Sequence, residues 1–189
     1  MSPMMLLYRD FLLNGPLPAV PCGVGGVVNM PVDKRKKDEL FLPQNRVDAA
    51  MARIETSTIL LENRRYSASI YFSGVAVESV LRAFIERDTK KFDDKHNLKK
   101  MSSHPSIVPF FLGCEKMDEK FDTVINYWDN KYRYTDDKKL LTFYYSKQLI
   151  NKHSEKQKKG LLRNFALQCN DAANAIVTKG FDLFYGGRR

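Results

Sequence analysis

Cysteine and histidine are scarce in this chain, and their spacing closes several routes at once. Cys22, Cys114 and Cys169 are odd in number, lie far apart and form no C-x-x-C pair, so neither a disulfide framework nor a zinc ribbon is suggested. His96, His104 and His153 show no H-x-H or H-E-x-x-H spacing, and no metal centre is expected. Reduced thiols and a cytoplasmic location follow from this cysteine usage. No apolar run approaches the roughly 18 to 20 residues that cross a bilayer, so no membrane role is expected. Met1 to Leu13 is apolar but carries Arg9 and Asp10 in its middle and lacks a basic leader, which makes it a poor signal peptide.

Glycine and proline are also sparse, except at the start. Gly15, Pro16, Pro18, Pro21 and the run Gly23-Val24-Gly25-Gly26 punctuate the first 42 residues so often that no long helix is expected there. Residues 1–42 therefore read as an irregular arm and residues 43–189 as the folded domain. The glycine run lacks the lysine and the Ser/Thr of a phosphate loop. At 189 residues and 43% hydrophobic, the chain can bury one core, and a second domain is not expected. Thirty-one Lys and Arg against 22 Asp and Glu leave +9, which favours partners carrying negative charge: nucleic acid, nucleotides or an acidic protein.

What remains is helical pattern. Pro43-Gln44-Asn45 opens a first helix with Asn45 as its expected N-cap, and Val47, Met51, Ile54, Thr58 and Leu61 repeat on one face with Arg46, Arg53 and Glu55 opposite. Tyr66-Ser67 is the expected link to a second helix, so the two form an antiparallel hairpin. In that second helix Ile70, Val77, Val80, Leu81 and Phe84 recur at helical spacing beside the small residues Ser69, Ser73 and Ala76. Small side chains allow another helix to approach closely, and Gly74 is expected at such a crossing. Glu78 stands among them, and a carboxylate there needs a partner, because burying it unpaired costs several kcal/mol. Leu98 and Met101 anchor a short turn limited by Pro105 and Pro109. Asp118 to Asn130 is expected to be helical, with Phe121, Val124, Ile125 and Trp128 inward. Leu140 to Tyr145 reads as a further short element. Ser154 to Gln157 has capping-box spacing and opens a long last helix with Leu162, Phe165, Cys169, Ala173 and Ile176 inward, which Gly180 ends or interrupts. Lys152, Lys156, Lys159 and Arg163 fall on one face of it, as a stripe that can track phosphates or simply meet solvent.

The run Arg65-Tyr66 followed by Ser-Ile-Tyr-Phe-Ser-Gly-Val-Ala-Val-Glu-Ser-Val-Leu-Arg-Ala, from Ser69 to Ala83, resembles the signature helix of the HEPN family, an RY followed by AxYxxGxAxExxLKA. His96-Asn97-Leu98 is similar to the family's H-x-L, and Trp128 followed by Arg133-Tyr134 is similar to its W-then-RY segment. The likeness covers roughly residues 45 to 185. It implies an all-α, up-and-down helical bundle of four to five main helices, forming a homodimer. It also implies involvement with nucleotide or RNA in toxin–antitoxin, defence or stress systems, sometimes beside a nucleotidyltransferase partner.

Ribonuclease members of the family carry R-x4-6-H, because cleaving RNA through its own 2'-hydroxyl needs a group titrating near neutrality and a cation for the phosphorane. Arg163-Asn164 begins such a motif, but Gln168, Cys169 and Asn170 fill the histidine window. Arg87-Asp88 reaches His96 only across eight residues, and Arg133 meets no histidine before His153. The motif is incomplete, and no cofactor is implied. The expectation is a non-catalytic module in which Glu78 organises the polar core, while Arg65, His96, Arg133, Lys156, Lys159 and Arg163 meet phosphate. Tyr132 and Tyr134, flanking Arg133, can stack a base or merely hold the arginine. Two alternatives stand beside this: a metal-independent endoribonuclease using Arg87 and His96, and a protein-interaction subunit of a larger complex.

Overall fold

The computed structural model describes residues 42–90, 96–149 and 155–186, all within a unit running from Lys34 to Arg189. The arm expected over residues 1–42 lies, apart from Leu42, outside them, as do Lys152 and Ser154. Among the described residues the architecture is all-α, with no strand. Five main helices carry it: α1 (Pro43–Glu62), α2 (Tyr66–Thr89), α5 (Met117–Tyr127), α6 (Asp137–Ser146) and α7 (Glu155–Tyr185). The short helices α3 (Leu98–Ser102) and α4 (Val108–Phe111) connect α2 to α5, and single 3-10 turns cover Pro105–Ile107 and Asn130–Tyr134.

Pairwise contacts set the directions. Arg46 meets Glu86, Arg53 meets Ser79 and Ser57 meets Ser69 and Ser73, so α1 and α2 run antiparallel. Gly180 packs on Val80 and Phe184 on Phe84, while Asn170 bonds Ser57 and Tyr185 bonds Asp48, so α7 runs with α2 and against α1. The bundle is up-and-down, with α2 at its centre.

Ile70, Val77, Val80, Leu81 and Phe84 are buried, as the spacing predicts; each contributes about 1.5–3 kcal/mol through burial. The small residues beside them meet hydroxyls. Ser57 donates to the Ser69 carbonyl at 2.9 Å, lies 2.7 Å from Ser73 Oγ, and accepts from Asn170 Nδ2 at 2.8 Å. Three long helices thus meet at a satisfied polar knot.

Several expectations are corrected. Helix α1 starts at Pro43 with no side-chain cap, because its N-cap residue is Leu42, which has no acceptor to offer, while the φ of proline already suits a first turn; Asn45 lies inside that turn. The buried face of α1 is Val47, Ala50, Ile54 and Ser57, with Met51, Thr58 and Leu61 at its margin, and Arg46 and Arg53 turn toward α2 instead of away. The hairpin link is Asn63–Arg65, with Arg64 at φ 59°, and Tyr66 already belongs to α2. Gly74 faces the Trp128 indole in place of a helix: a Cβ there would fall within 2.4 Å of three indole atoms. Helix α5 stops at Tyr127, Trp128 is extended (φ −108°, ψ 143°), and its indole donates to the Tyr71 carbonyl at 3.0 Å. Gly180 neither ends nor interrupts α7. It sits where α7 crosses α2, and a Cβ would lie 2.4 Å from Val80. Finally, α2 is long and apolar enough to cross a membrane by length and composition, because Ile, Val, Leu, Phe and Ala hold its average apolar although Ser and Gly break up the run; 72% of that stretch is buried inside the bundle.

Candidate functional site

The polar cluster on α2 grows from its helical spacing. Glu78 and Arg82 are four residues apart, hence on one face, and Arg82 Nε donates to Glu78 Oε1 at 2.7 Å. Both side chains are nearly buried. Asn97 accepts from Lys100 N and so starts α3, and this turn brings His96 Nδ1 to 2.8 Å from the same Glu78 Oε1. A carboxylate only accepts, so Nδ1 carries a proton in this contact, on an imidazole whose side chain is 47% exposed. From α1, Arg53 Nη1 donates to Ser79 Oγ at 2.8 Å. Burial is the largest influence on Arg53 and lowers its pKa; the pull of Glu78 opposes this and the repulsion of Arg46 adds to it. Arg46 Nε in turn donates to Glu86 Oε2 at 2.7 Å. The seam between α1 and α2 is therefore a row of arginines and carboxylates, with one imidazole at its edge. Its chemical capacity is to hold an imidazole nitrogen in fixed orientation beside buried charge.

Arg87 does not join it. It lies about two and a half turns beyond Glu78, about 13 Å in rise and on the opposite side of α2. Its guanidinium sits over Phe84 at 4.5 Å and Phe184 at 5.2 Å, and Nε bonds Asp88 at 3.1 Å. Burial pushes the Asp88 carboxyl up, but Ser106, Arg87 and His104 together hold it below the usual range. The geometry pairs His96 with Glu78 and Arg82, and does not bring it to Arg87. The residues in the histidine window after Arg163 serve packing: Cys169 is fully buried, Asn170 belongs to the polar knot, and Gln168 Oε1 accepts from Tyr127 at 3.3 Å. Burial pushes the Cys169 thiol up to about 12, against a hydrogen bond with Ser73 that lowers it.

The remaining candidates are surface cations. Arg65 precedes the first turn of α2 and is exposed; Arg133 is exposed on the 3-10 turn Asn130–Tyr134, its guanidinium 4.8 Å from the Tyr134 ring centroid; Arg163 is exposed on α7. Positions 156, 159 and 163 share one face of α7 by helical register. Eight of the chain's Lys and Arg fall between Lys138 and Asn170, against one acid, Glu155. Lys138, Lys139, Lys147 and Arg163 have no carboxylate partner among the described residues. The structure thus separates the expected set into His96 on the Glu78 cluster, Arg65 ahead of α2, Arg133 on the 3-10 turn, and positions 156, 159 and 163 on α7.

No family model, curated protein or solved structure matches this chain. Among the described residues no group of three or more His, Cys, Asp or Glu is placed to hold a metal ion. Sequence reasoning missed Arg53, Ser79 and Arg82, although the four-residue step from Glu78 to Arg82 is a legible signal. It also missed Phe143, which lies under Lys131 at 5.1 Å and Lys147 at 4.5 Å; the step from Phe143 to Lys147 is again one helical turn.

Proposed function

We propose that this chain is a non-catalytic HEPN-like bundle that binds nucleotide or RNA phosphate, working in the cytoplasm in a toxin–antitoxin, defence or stress system. The observation that supports it is the charge between Lys138 and Asn170, where the sequence carries eight Lys and Arg against one acid and where Lys138, Lys139, Lys147 and Arg163 are exposed. Cations on a rigid helical face attract phosphates over a Debye length and release counterions on binding. The likeness around Glu78 adds the family context, with the pair of Glu78 and Arg82 as a structural brace and His96 as a contact at its edge.

The test is a titration of the full chain with single-stranded RNA, and separately with ATP, at two salt concentrations. A module that neutralises about three or four phosphates shows a log–log salt slope of about −2 to −3. No binding at low salt overturns the reading. Intact RNA after incubation in EDTA with excess protein fits the non-catalytic reading. Cleavage that disappears in His96→Ala moves the reading to the metal-independent ribonuclease.

A second reading rests on a different face. Val108 (54% exposed), Phe111 and Leu112 (66%) leave an apolar patch on and beside α4. An interaction subunit would use such a patch, against a second copy in a homodimer or against a nucleotidyltransferase partner. Sedimentation of the wild type and Leu112→Asp separates a self-associating patch from a bare one.

A further inference from the structure

We infer that the surface formed by the turn Asn130–Tyr134 and the outer face of α6 is a docking strip for single-stranded RNA, with Tyr134 as the platform on which an unpaired base stacks. The inference rests on the phosphate-binding reading above and adds to it the strand form and the residue that selects it.

The platform is unusual in its exposure. Tyr134 is 73% exposed, the highest of the large apolar and aromatic side chains left in solvent among the described residues. Arg133 lies 4.8 Å from its centroid, so a guanidinium covers one face and stiffens the ring while the other is available. In a 3-10 turn residues three apart align, which puts Lys131 on the same edge as Tyr134. Lys131 in turn reaches Phe143 on α6, where Lys147 approaches the same ring. Tyr132, buried between them, packs edge-on against Phe143 at 5.5 Å and Tyr144 at 6.2 Å, fixing the turn to the helix. Ring, guanidinium and two ammonium groups are therefore held on one rigid surface.

The acids nearby are committed to backbone amides. Asp129 accepts from Lys131 N at 3.1 Å and pairs with Lys131 Nζ at 3.2 Å. Asp136 caps α6 by accepting from Lys139 N at 2.8 Å, and Asp137 accepts from Ser67 N at 2.8 Å. Those partners offset part of their charge, whereas Arg133, Lys138, Lys139 and Lys147 carry theirs into solvent. An exposed ring among cations fits a strand whose bases are splayed. It does not fit a duplex, whose bases are stacked on one another and present only phosphates and 2'-hydroxyls. A purely electrostatic patch has no use for the ring and would treat the two forms alike.

The experiment titrates a short unstructured RNA of about 12 nucleotides, and the same RNA annealed to its complement, against the full-length wild type, Tyr134→Ala, Tyr134→Phe and Arg133→Ala. Thermal melts of each variant confirm the fold, which an exposed position should not disturb. The expected result is single-strand binding at least about 5-fold tighter than duplex binding, lost to a similar extent in Tyr134→Ala at an unchanged salt slope and retained in Tyr134→Phe. Arg133→Ala lowers the salt slope by about one unit. Salt-dependent binding that ignores Tyr134→Ala, or that favours the duplex, overturns this inference and leaves the phosphate reading standing. No RNA binding in either form overturns both.

Discussion

Replacing Gly74 with alanine would put a methyl carbon inside the indole of Trp128. The added Cβ falls 2.0 Å from Cδ1 and 2.1 Å from Cγ, distances that no rotamer adjustment of a fused ring can absorb. The indole must slide, and sliding breaks its 3.0 Å bond to the Tyr71 carbonyl. Overpacking of this kind costs about 1–3 kcal/mol, and the lost hydrogen bond about 1 kcal/mol. Alanine recovers about 1 kcal/mol of helix propensity over glycine. The net is a loss of roughly 2 kcal/mol, or a melting temperature lower by about 4–8 °C for a domain of this size. Urea unfolding followed by far-UV circular dichroism gives the free energy. Because Trp128 is the single tryptophan, its fluorescence independently reports whether the indole has moved toward water. The decisive comparison uses Trp128→Ala as background. There the clash is gone, only propensity remains, and Gly74→Ala should stabilise by about 1 kcal/mol. If Gly74→Ala stabilises the wild-type chain, or destabilises both backgrounds alike, the account of α2 as a helix notched for an indole is wrong.

Three further outcomes follow from the same contacts. Glu78→Gln leaves the buried Arg82 beside a neutral group and should cost about 3 kcal/mol in urea unfolding, whereas His96→Ala, removing a half-exposed partner, should cost under about 1 kcal/mol; equal losses would refute the brace. Ser57→Ala removes the hydroxyl at which α1, α2 and α7 meet, with an expected loss of about 1–3 kcal/mol from the groups left unsatisfied, read as a lower urea midpoint at unchanged slope. Cys169, with its thiol pushed up to about 12 by burial from an ordinary 9.0, should resist thiol reagents at pH 8 in the folded chain while the half-buried Cys114 reacts, in a Cys22→Ser background. Its folded pKa lies above its unfolded one, so the unfolded state loses the proton first. The stability this group contributes is complete below about pH 9 and declines toward pH 12, so the stability gap between wild type and Cys169→Ala should narrow across that window.

Much of the bundle was legible because helical period is a local property. The inward face of α2, the hairpin of α1 and α2 and the buried positions Leu162, Cys169, Ala173 and Ile176 of α7 all follow from spacing, and the structure buries them. Errors gathered where a neighbour distant in sequence decides the local state. The end of α5 moved because Trp128 leaves the helix to fill the notch at Gly74. Gly180 stayed helical because α2 needs close approach there. Arg46 and Arg53 looked like solvent residues until α2 offered Glu86 and Ser79.

The candidate sites divide in the same way. The sequence by itself determined an all-α chain, a carboxylate at 78 requiring a partner, and an excess of positive charge weighted toward the last third, since composition and periodicity need no partner to be read. Only the tertiary structure decided that His96, 18 residues from Glu78, meets the same carboxylate oxygen as Arg82. It alone brought Lys131 to the Phe143 ring that Lys147 approaches from one helical turn away. Such groupings depend on how turns and crossings carry side chains together over long separations, and residue spacing holds no measure of that.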